Sequence, residues 1–308
     1  MEKVKVLMST YNGQKYLREQ LDSILNQEGV DVSLLIRDDG SKDDTLIILS
    51  EYEESHSNIE IIRGENIGFA ESFMSLVYKA NEYDDIGYFA FSDQDDIWLK
   101  DKLHTAISML ENIENKNSPN LYFSTARAVD ENLNFLFDTV DNDWLVLSKP
   151  TSLVRYFMLG CTLVFPKTTV EFICNNKPKK KILMHDLWLN QTCMFFGEIV
   201  YDKTPHILYR QHGSNAAGVS GSIKNRIKRL IKSFKTYERR HFREYNAKCL
   251  LATYNHLLSE EDKELICIIA NYKSSIKNRI RFLMSSKINM GTLSSDIALK
   301  IRILFGIA

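Results

Sequence analysis

Residues 86–98 read IGYFAFSDQDDIW. Ile86 to Phe91 is an apolar run of strand length, and Asp93-Gln94-Asp95-Asp96 sets three carboxylates in the turn behind it. An apolar run without alternation predicts a strand buried on both faces, as in a parallel sheet. At ~4 Å and an effective dielectric of about 20, each like-charged pair costs on the order of 4 kcal/mol. Carboxylates crowded behind a buried strand therefore need a cation or shared protons, and hard oxygen ligands suit Mg2+ or Mn2+. The bland alternative is a solvated turn in which Asp96 caps a helix from Trp98.

The same rhythm runs upstream. Val4 to Met8, Val32 to Ile36 and Ile59 to Ile62 read as strands. Between them, apolar residues recur at helical spacing around Leu21, through Leu46 to Tyr52, and from Phe69 to Ala80; Trp98 to Ile113 follows as a fourth helix. Ser41-Lys42-Asp43-Asp44 resembles a capping box. Strand and helix in alternation imply an α/β fold, a mostly parallel sheet with helices on both faces. After Pro119 the rhythm changes. Leu121 to Phe123, Ala126 to Val129, Phe135 to Val140 and Gly160 to Phe165 read as strands, His185 to Phe196 as a helix, and Ile199 to Tyr201 and Ile207 to Tyr209 as short strands. The expected division is a catalytic domain over 1–221, with halves at about 1–118 and 119–221, and a helical region over 222–308.

Polar clusters follow three of these strands: Ser9-Thr10-Tyr11-Asn12, Asp38-Asp39-Gly40-Ser41 and Asp93 to Asp96. In an open parallel sheet the carboxyl ends of the strands share one edge, where ligands bind. Residues eighty positions apart in sequence thus meet in one crevice.

The ordered set STYNG, DDGS and FSDQDDIW resembles family 2 glycosyltransferases of the GT-A (Rossmann-like) fold. With the later YRQHGSN, it is most similar to bacterial rhamnosyltransferases of surface-polysaccharide synthesis. The likeness covers roughly residues 1–215 and is specific for the family, less so for the sugar. It implies that Asp39 accepts from the imide N–H of a pyrimidine base, while Thr10, Tyr11 and Asn12 line the nucleotide cleft. Asp93 would hold the ribose or the metal shell, and Asp95 a divalent cation, Mn2+ or Mg2+, that bridges the diphosphate. Arg63, Asn66 and Gly68, in RGENIG, resemble a further cleft segment. Gly68 opens a helix, whose N-terminus favours anions. In Met184-His185-Asp186-Leu187, Asp186 fits the general base at the head of a helix; His185 departs from the more usual Glu. Arg210 is expected at phosphate and His212 at the metal. No QxxRW motif follows, which favours addition of a single sugar.

The resemblance implies an inverting enzyme that takes a nucleotide-sugar donor, dTDP-L-rhamnose first. It would act on a glycan or polyprenyl-linked acceptor. A UDP-sugar donor (galactose or N-acetylglucosamine) is the alternative. A sugar-nucleotide nucleotidyltransferase competes but would need a glycine-rich phosphate loop, and Ser9 to Gly13 has one glycine. A non-catalytic scaffold is the third reading.

Charge is unevenly spread. Residues 1–222 carry 21 Lys+Arg against 33 Asp+Glu, and residues 223–308 carry 18 against 7. Such asymmetry signals a partner. Ile223, Ile227, Leu230, Phe234 and Tyr237 repeat through a stretch dense in Lys and Arg, and Ile276 to Met284 and Ala298 to Ile307 repeat the theme. Basic amphipathic helices suit an anionic membrane surface; a helical subdomain packed on the body or on a second copy, as a homodimer, is the other reading. No aromatic-interleaved basic motif points to nucleic acid. No apolar run approaches ~18 residues, and the N-terminus does not read as a signal peptide. Five scattered cysteines without a CxxC pair read as buried apolar fillers in a reducing compartment. The expected location is cytoplasmic, peripheral on the inner face of a bacterial plasma membrane.

Overall fold

A computed structural model describes residues 1–140, 145–212, 241–288 and 290–306. In chain order its first elements are β1 (Glu2–Thr10), α1 (Leu17–Leu25), β2 (Val30–Asp38), α2 (Thr45–Ser55), β3 (Ile59–Arg63), α3 (Phe69–Ala80) and β4 (Tyr88–Ser92). The next are β5 (Ile97–Trp98), α4 (Lys102–Leu110), β6 (Leu121–Ser124), β7 (Arg127–Val129), β8 (Phe135–Asp138) and α5 (Lys149–Val154). Then come β9 (Val164–Pro166), α6 (Lys167–Asn175), α7 (His185–Phe196), β10 (Ile199–Asp202) and β11 (Ile207–Arg210). Last are α8 (Phe242–Tyr254), α9 (Glu260–Ala270), α10 (Ile276–Met284) and α11 (Leu293–Leu304).

The chain forms two compact units. The first comprises residues 1–140, 157–175 and 184–212; the second comprises 141–156, 176–183 and 213–308. Helix α5 and residues 176–183 thus group with the C-terminal helices rather than with the sheet.

In the first unit the main sheet has the order β10-β6-β9-β4-β1-β2-β3. Its pairings are parallel except at β9, which runs antiparallel to β4 and β6. The apolar runs read from sequence are the inner strands: Val4, Val6, Leu7 and Met8 of β1 and Phe89, Ala90 and Phe91 of β4 are fully buried. Leu17, Leu21 and Ile24, one per turn of α1, bury against the same core. Strand order reverses beside β1, which pairs with β2 on one side and β4 on the other. Register places Thr10 opposite Asp38 and Met8 opposite Ser92, so three loops leave the sheet at one edge. A smaller sheet, β5-β11-β7-β8, brings the residues after β11 beside the Asp93–Asp96 loop.

Three local expectations are corrected. The helix expected from Trp98 starts at Lys102, because Ile97 and Trp98 pair with β11. The strand expected over Gly160–Phe165 is a single 3-10 turn, Gly160–Thr162, followed by β9. Ser41 does not cap α2; its hydroxyl donates to Asp38 at 2.5 Å, while Asp44 occupies the cap position without a side-chain bond.

Gly197 ends α7, and a Cβ there would lie 2.0 Å from the carbonyl oxygen of Pro119. Gly197→Ala is expected to cost roughly 1–3 kcal/mol through overpacking against backbone that must shift. The check is a urea melt at unchanged m-value.

In the second unit α8 is tied down by main-chain contacts. Arg243 Nε donates to the carbonyl of Val154 at 2.6 Å, and Tyr245 Oη to that of Lys181 at 2.6 Å. Tyr254, Tyr272, Ile266, Ile269, Phe282 and Ile303 form its buried apolar set. The basic amphipathic stretch expected from Ile223 through Tyr237 lies outside the described residues. No helix among the described residues is long and apolar enough to cross a membrane.

Candidate active site

The site grows from the loops at the carboxyl ends of β1, β2 and β4. Asp38 organises the second loop: it accepts from Thr10 Oγ1 at 2.9 Å, from the Gly40 N–H at 3.1 Å and from the Ser41 N–H at 2.9 Å. Asn12, in a left-handed conformation (φ 49°), donates its N–H to the Ser41 hydroxyl oxygen at 2.9 Å, and its Oδ1 accepts from the Lys42 N–H at 2.8 Å. STYNG and DDGS are therefore one interlocked structure. Thr10 is fully buried, whereas the ring of Tyr11 stands half exposed at the crevice.

Asp39 lies next to this lock with only 3% of its surface exposed. Its Oδ1 accepts from the Ile67 N–H at 3.0 Å, its Oδ2 from the Gly68 N–H at 2.9 Å, and Arg37 pairs with it. Asp39 thus holds the Asn66–Gly68 segment in place. A carboxylate offers about four acceptor positions, so Oδ2 keeps a direction for a ligand N–H. Gly68, at φ 88°, begins α3 as expected, and Asn66 is exposed beside it. Arg63 points elsewhere in this structure. Its guanidinium turns to α2, where it meets Glu53 at 2.9 Å and Ser50 at 3.2 Å. The arginine bound to Asp39 is Arg37, a charge at the end of a strand buried on both faces, and sequence reasoning passed over it. That misplaced charge in LLIRDDG was the available signal.

Gln94 was also missed. Its side chain accepts from the Tyr11 N–H at 2.8 Å and donates to the Tyr11 carbonyl at 3.1 Å, tying the first loop to the third. A Cβ on Gly13 would lie 2.3 Å from Gln94 Oε1, so glycine allows that approach.

Asp95 Oδ2 and His212 Nε2 lie 2.8 Å apart, both part-buried. Asp96 is fully buried; Oδ1 accepts from the Arg210 N–H at 3.1 Å, and Oδ2 has no partner among the described residues. It is not a helix cap. Donor atoms of Asp93, Asp96 and Cys161 lie within 4.8 Å of one another. Burial, then Asp95 and Asp186, push Asp93 up to about 7. Burial, then Asp95 and Asp93, push Asp96 well above the usual carboxylate range. Cys161 is thus more than an apolar filler. Burial and these carboxylates push its thiol well up, so it stays protonated and suits a hard cation poorly. A carboxylate oxygen beside an imidazole nitrogen suits Mn2+ better than the all-oxygen preference of Mg2+, and Asp95 with His212 is the pair that fits.

Under this cluster lies Lys102, fully buried, with its Nζ 3.5 Å from the centroid of the Trp98 ring. Burial lowers it to about 7, against the raising influence of Cys161 and Asp96. Arg210 is held from several sides. It is 2% exposed, stacked 4.4 Å from the Tyr16 ring centroid, and its guanidinium goes to Glu19 and to the carbonyls of Asp95 and Glu131. It braces the third loop through the Asp95 carbonyl and Asp96.

Asp186 sits in the first turn of α7, 5% exposed, and its Oδ1 accepts from the Leu187 N–H at 2.8 Å. After burial and Asp95, Asp186 is the third influence that raises Asp93. His185, its neighbour, is stacked on Phe73 at 4.0 Å and edge-on to Phe91 at 4.9 Å. Neither ring nitrogen has a partner among the described residues. Gly160 makes room for it, since a Cβ there would lie 2.8 Å from His185 Nε2.

Burial lowers His185 to about 4, with Asp186 opposing. Below its ordinary value near 6.5 the unfolded chain takes up a proton that the folded chain refuses until about pH 4. Stability should therefore fall by roughly 3 kcal/mol between those values. His185→Phe keeps the aromatic stack and should flatten that part of the profile, checked by urea midpoints at neutral and acid pH.

A Rossmann-like sheet with a carboxylate-rich loop at its switch point and a buried acid at a helix head is the arrangement that the GT-A resemblance implies. Residues 5–124 match the model of Glycosyl transferase family 2. The chain is 35% identical over 236 residues to the dTDP-rhamnosyl transferase RfbG of Shigella flexneri, covering 72% of this chain and 78% of that one. The protein belongs to glycosyltransferase family 2. It is also 32% identical over 107 residues to the UDP-Glc:alpha-D-GlcNAc-diphosphoundecaprenol beta-1,3-glucosyltransferase WfgD of Escherichia coli, 35% of this chain and 40% of that one. Among solved structures its fold is similar to S. aureus TarS in complex with UDP-GlcNAc (TM-score 0.56, 14% identity, 98% of this chain and 90% of that one). The mannosyltransferase PcManGT of Pyrobaculum calidifontis, solved with GDP-Man and Mn2+, is similar at TM-score 0.50 and 15% identity, over 98% and 86% of the two chains.

Proposed function

We propose that this glycosyltransferase is inverting and metal-dependent, and that it transfers one L-rhamnose from dTDP-L-rhamnose to a lipid-linked intermediate of a cell-surface polysaccharide. The observation that carries the reaction is Asp186, buried at the head of α7 and within electrostatic reach of Asp93. Asp186 takes the proton of the acceptor hydroxyl as that oxygen attacks the anomeric carbon from the face opposite the leaving group. In-line attack on a β-linked L-rhamnose donor leaves an α linkage. Asp39, through its remaining acceptor position, receives the imide N–H of the base, and Tyr11 covers the nucleotide. Asp95 and His212 would hold a divalent cation, which supplies charge neutralisation for the departing nucleoside diphosphate. Asp93, two residues away on the same loop, would hold the ribose or complete the metal shell.

The rhamnose assignment is supported by the likeness to RfbG, and the polyprenyl-linked acceptor by the name of WfgD. An acceptor of that kind puts the enzyme at the cytoplasmic face of the plasma membrane. The name of WfgD, with its UDP-Glc donor, favours one second reading: the same transfer from a UDP-sugar. Membership of family 2 removes the nucleotidyltransferase and scaffold readings. The test is a donor panel with Mn2+, read first by thermal shift and then by nucleoside diphosphate release. dTDP-L-rhamnose should give the largest shift and release dTDP; turnover of a UDP-sugar alone would transfer the assignment to that donor.

A further inference from the structure

Eight of the twenty large apolar side chains that stand exposed among the described residues fall between Ile276 and Phe305. They are not scattered. On α10, Ile276, Ile280 and Met284 recur every fourth residue; on α11, Leu293, Ile297 and Ile301 do the same and lead to Phe305. At 100° per residue each set makes one stripe along its helix. Each helix also has a second apolar face that is buried: Phe282 on α10, and Leu299 and Ile303 on α11. The buried face anchors the helix in the unit, and the exposed stripe points the other way. The two helices form an antiparallel hairpin, since Arg279 near the start of α10 donates to the carbonyl of Leu304 at the end of α11, at 3.2 Å.

The charge around these stripes has one sign. Residues 276–306 hold six Lys and Arg against one acid, Asp296. Asp296 is taken up by the Met290 N–H. Arg281 and Lys287 are paired to Glu264 and Glu261, whereas Lys277, beside Ile276, and Lys300, beside Ile301, are exposed and make no ion pair among the described residues. A second copy docked through a two-fold axis would bring the same cationic face against itself. Aliphatic stripes edged by free lysines instead match the boundary between acyl chains and anionic headgroups.

We propose that the α10–α11 hairpin is the element that inserts into the membrane, with Ile276, Ile280, Met284, Leu293, Ile297 and Ile301 among the acyl chains and Lys277 and Lys300 at anionic headgroups. This deepens the membrane placement proposed above and is independent of the donor. The partner is the bilayer surface itself, and no lipid-specific pocket is involved.

The test uses the full chain with vesicles of phosphatidylglycerol and phosphatidylcholine, and of phosphatidylcholine alone, read by co-sedimentation. The unaltered chain should pellet with the anionic vesicles. The triple variant Ile280→Ser, Ile297→Ser, Ile301→Ser should lose about tenfold in partitioning, with an unchanged circular dichroism spectrum. Lys277→Glu with Lys300→Glu should lose the preference for phosphatidylglycerol. Ile297→Trp should gain a blue-shifted emission component that brominated lipid quenches. Donor turnover in vesicle-free buffer should be unchanged in all variants, so a failure here is distinct from a failure of the transferase reading. The proposal is overturned if the unaltered chain ignores anionic vesicles, if the triple variant pellets like the unaltered chain, or if the chain is a dimer in buffer that the triple variant dissociates.

Discussion

Asp186→Asn is expected to reduce transfer by roughly 10²–10⁴-fold while leaving donor binding intact. The substitution keeps the shape of the side chain and its acceptance of the Leu187 N–H, so α7 has no reason to shift. It removes the basic oxygen that takes the acceptor proton, a function exercised only as the reaction proceeds. The loss should therefore fall on kcat, with KM for the donor little changed. Steady-state kinetics with calorimetric donor titration separates the two. A variant that keeps full kcat, or that loses donor affinity in proportion to rate, would remove Asp186 from the role of base.

Asp39→Ala should be the most destabilising substitution at the site, by about 3–5 kcal/mol. The carboxylate is the partner of Arg37, whose side chain is 9% exposed, and without it that guanidinium stays buried beside the Glu65 carbonyl and Ser72 hydroxyl alone. The N–H groups of Ile67 and Gly68 lose their acceptor in the same step. The expected readout is a lowered urea midpoint. Arg37→Met with Asp39→Ala, which removes both charges, should recover part of the loss, because an unpaired buried ion costs more than an absent pair. If the single variant melts like the unaltered chain, Asp39 does not clamp the loop and serves the nucleotide alone.

These two residues differ in how far the sequence exposes their roles. Asp186 heads a helix pattern behind a basic run, and the resemblance to family 2 implies its role there. Asp39 is equally visible in DDGS, yet its bonds to Ile67 and Gly68 cross 28 and 29 positions of chain. Only the pairing of β2 with β3 brings those positions together. Arg63 and Arg37 make the same point. Both stand near the carboxyl ends of neighbouring strands, but the direction of each side chain depends on the helix or loop packed above it. Arg63 finds Glu53 on α2, and Arg37 finds Asp39. Arg210 stands near His212 in sequence, and β11 sets it against the Asp95 loop, where Glu19 and two carbonyls hold it.

By itself the sequence determined the alternation of strand and helix, the apolar strands of the core and the clustering of acids behind β4. All three are local: periodicity and turn chemistry act over a few residues and need no knowledge of distant chain. Tertiary structure alone decided that Gln94 ties the first loop to the third, that Lys102 and Cys161 lie beneath the carboxylates, and that α10 and α11 each carry a second, unburied apolar stripe. Those facts depend on which faces meet after folding. A one-dimensional pattern marks a face as apolar without saying what covers it, and a charge as present without saying which partner takes it.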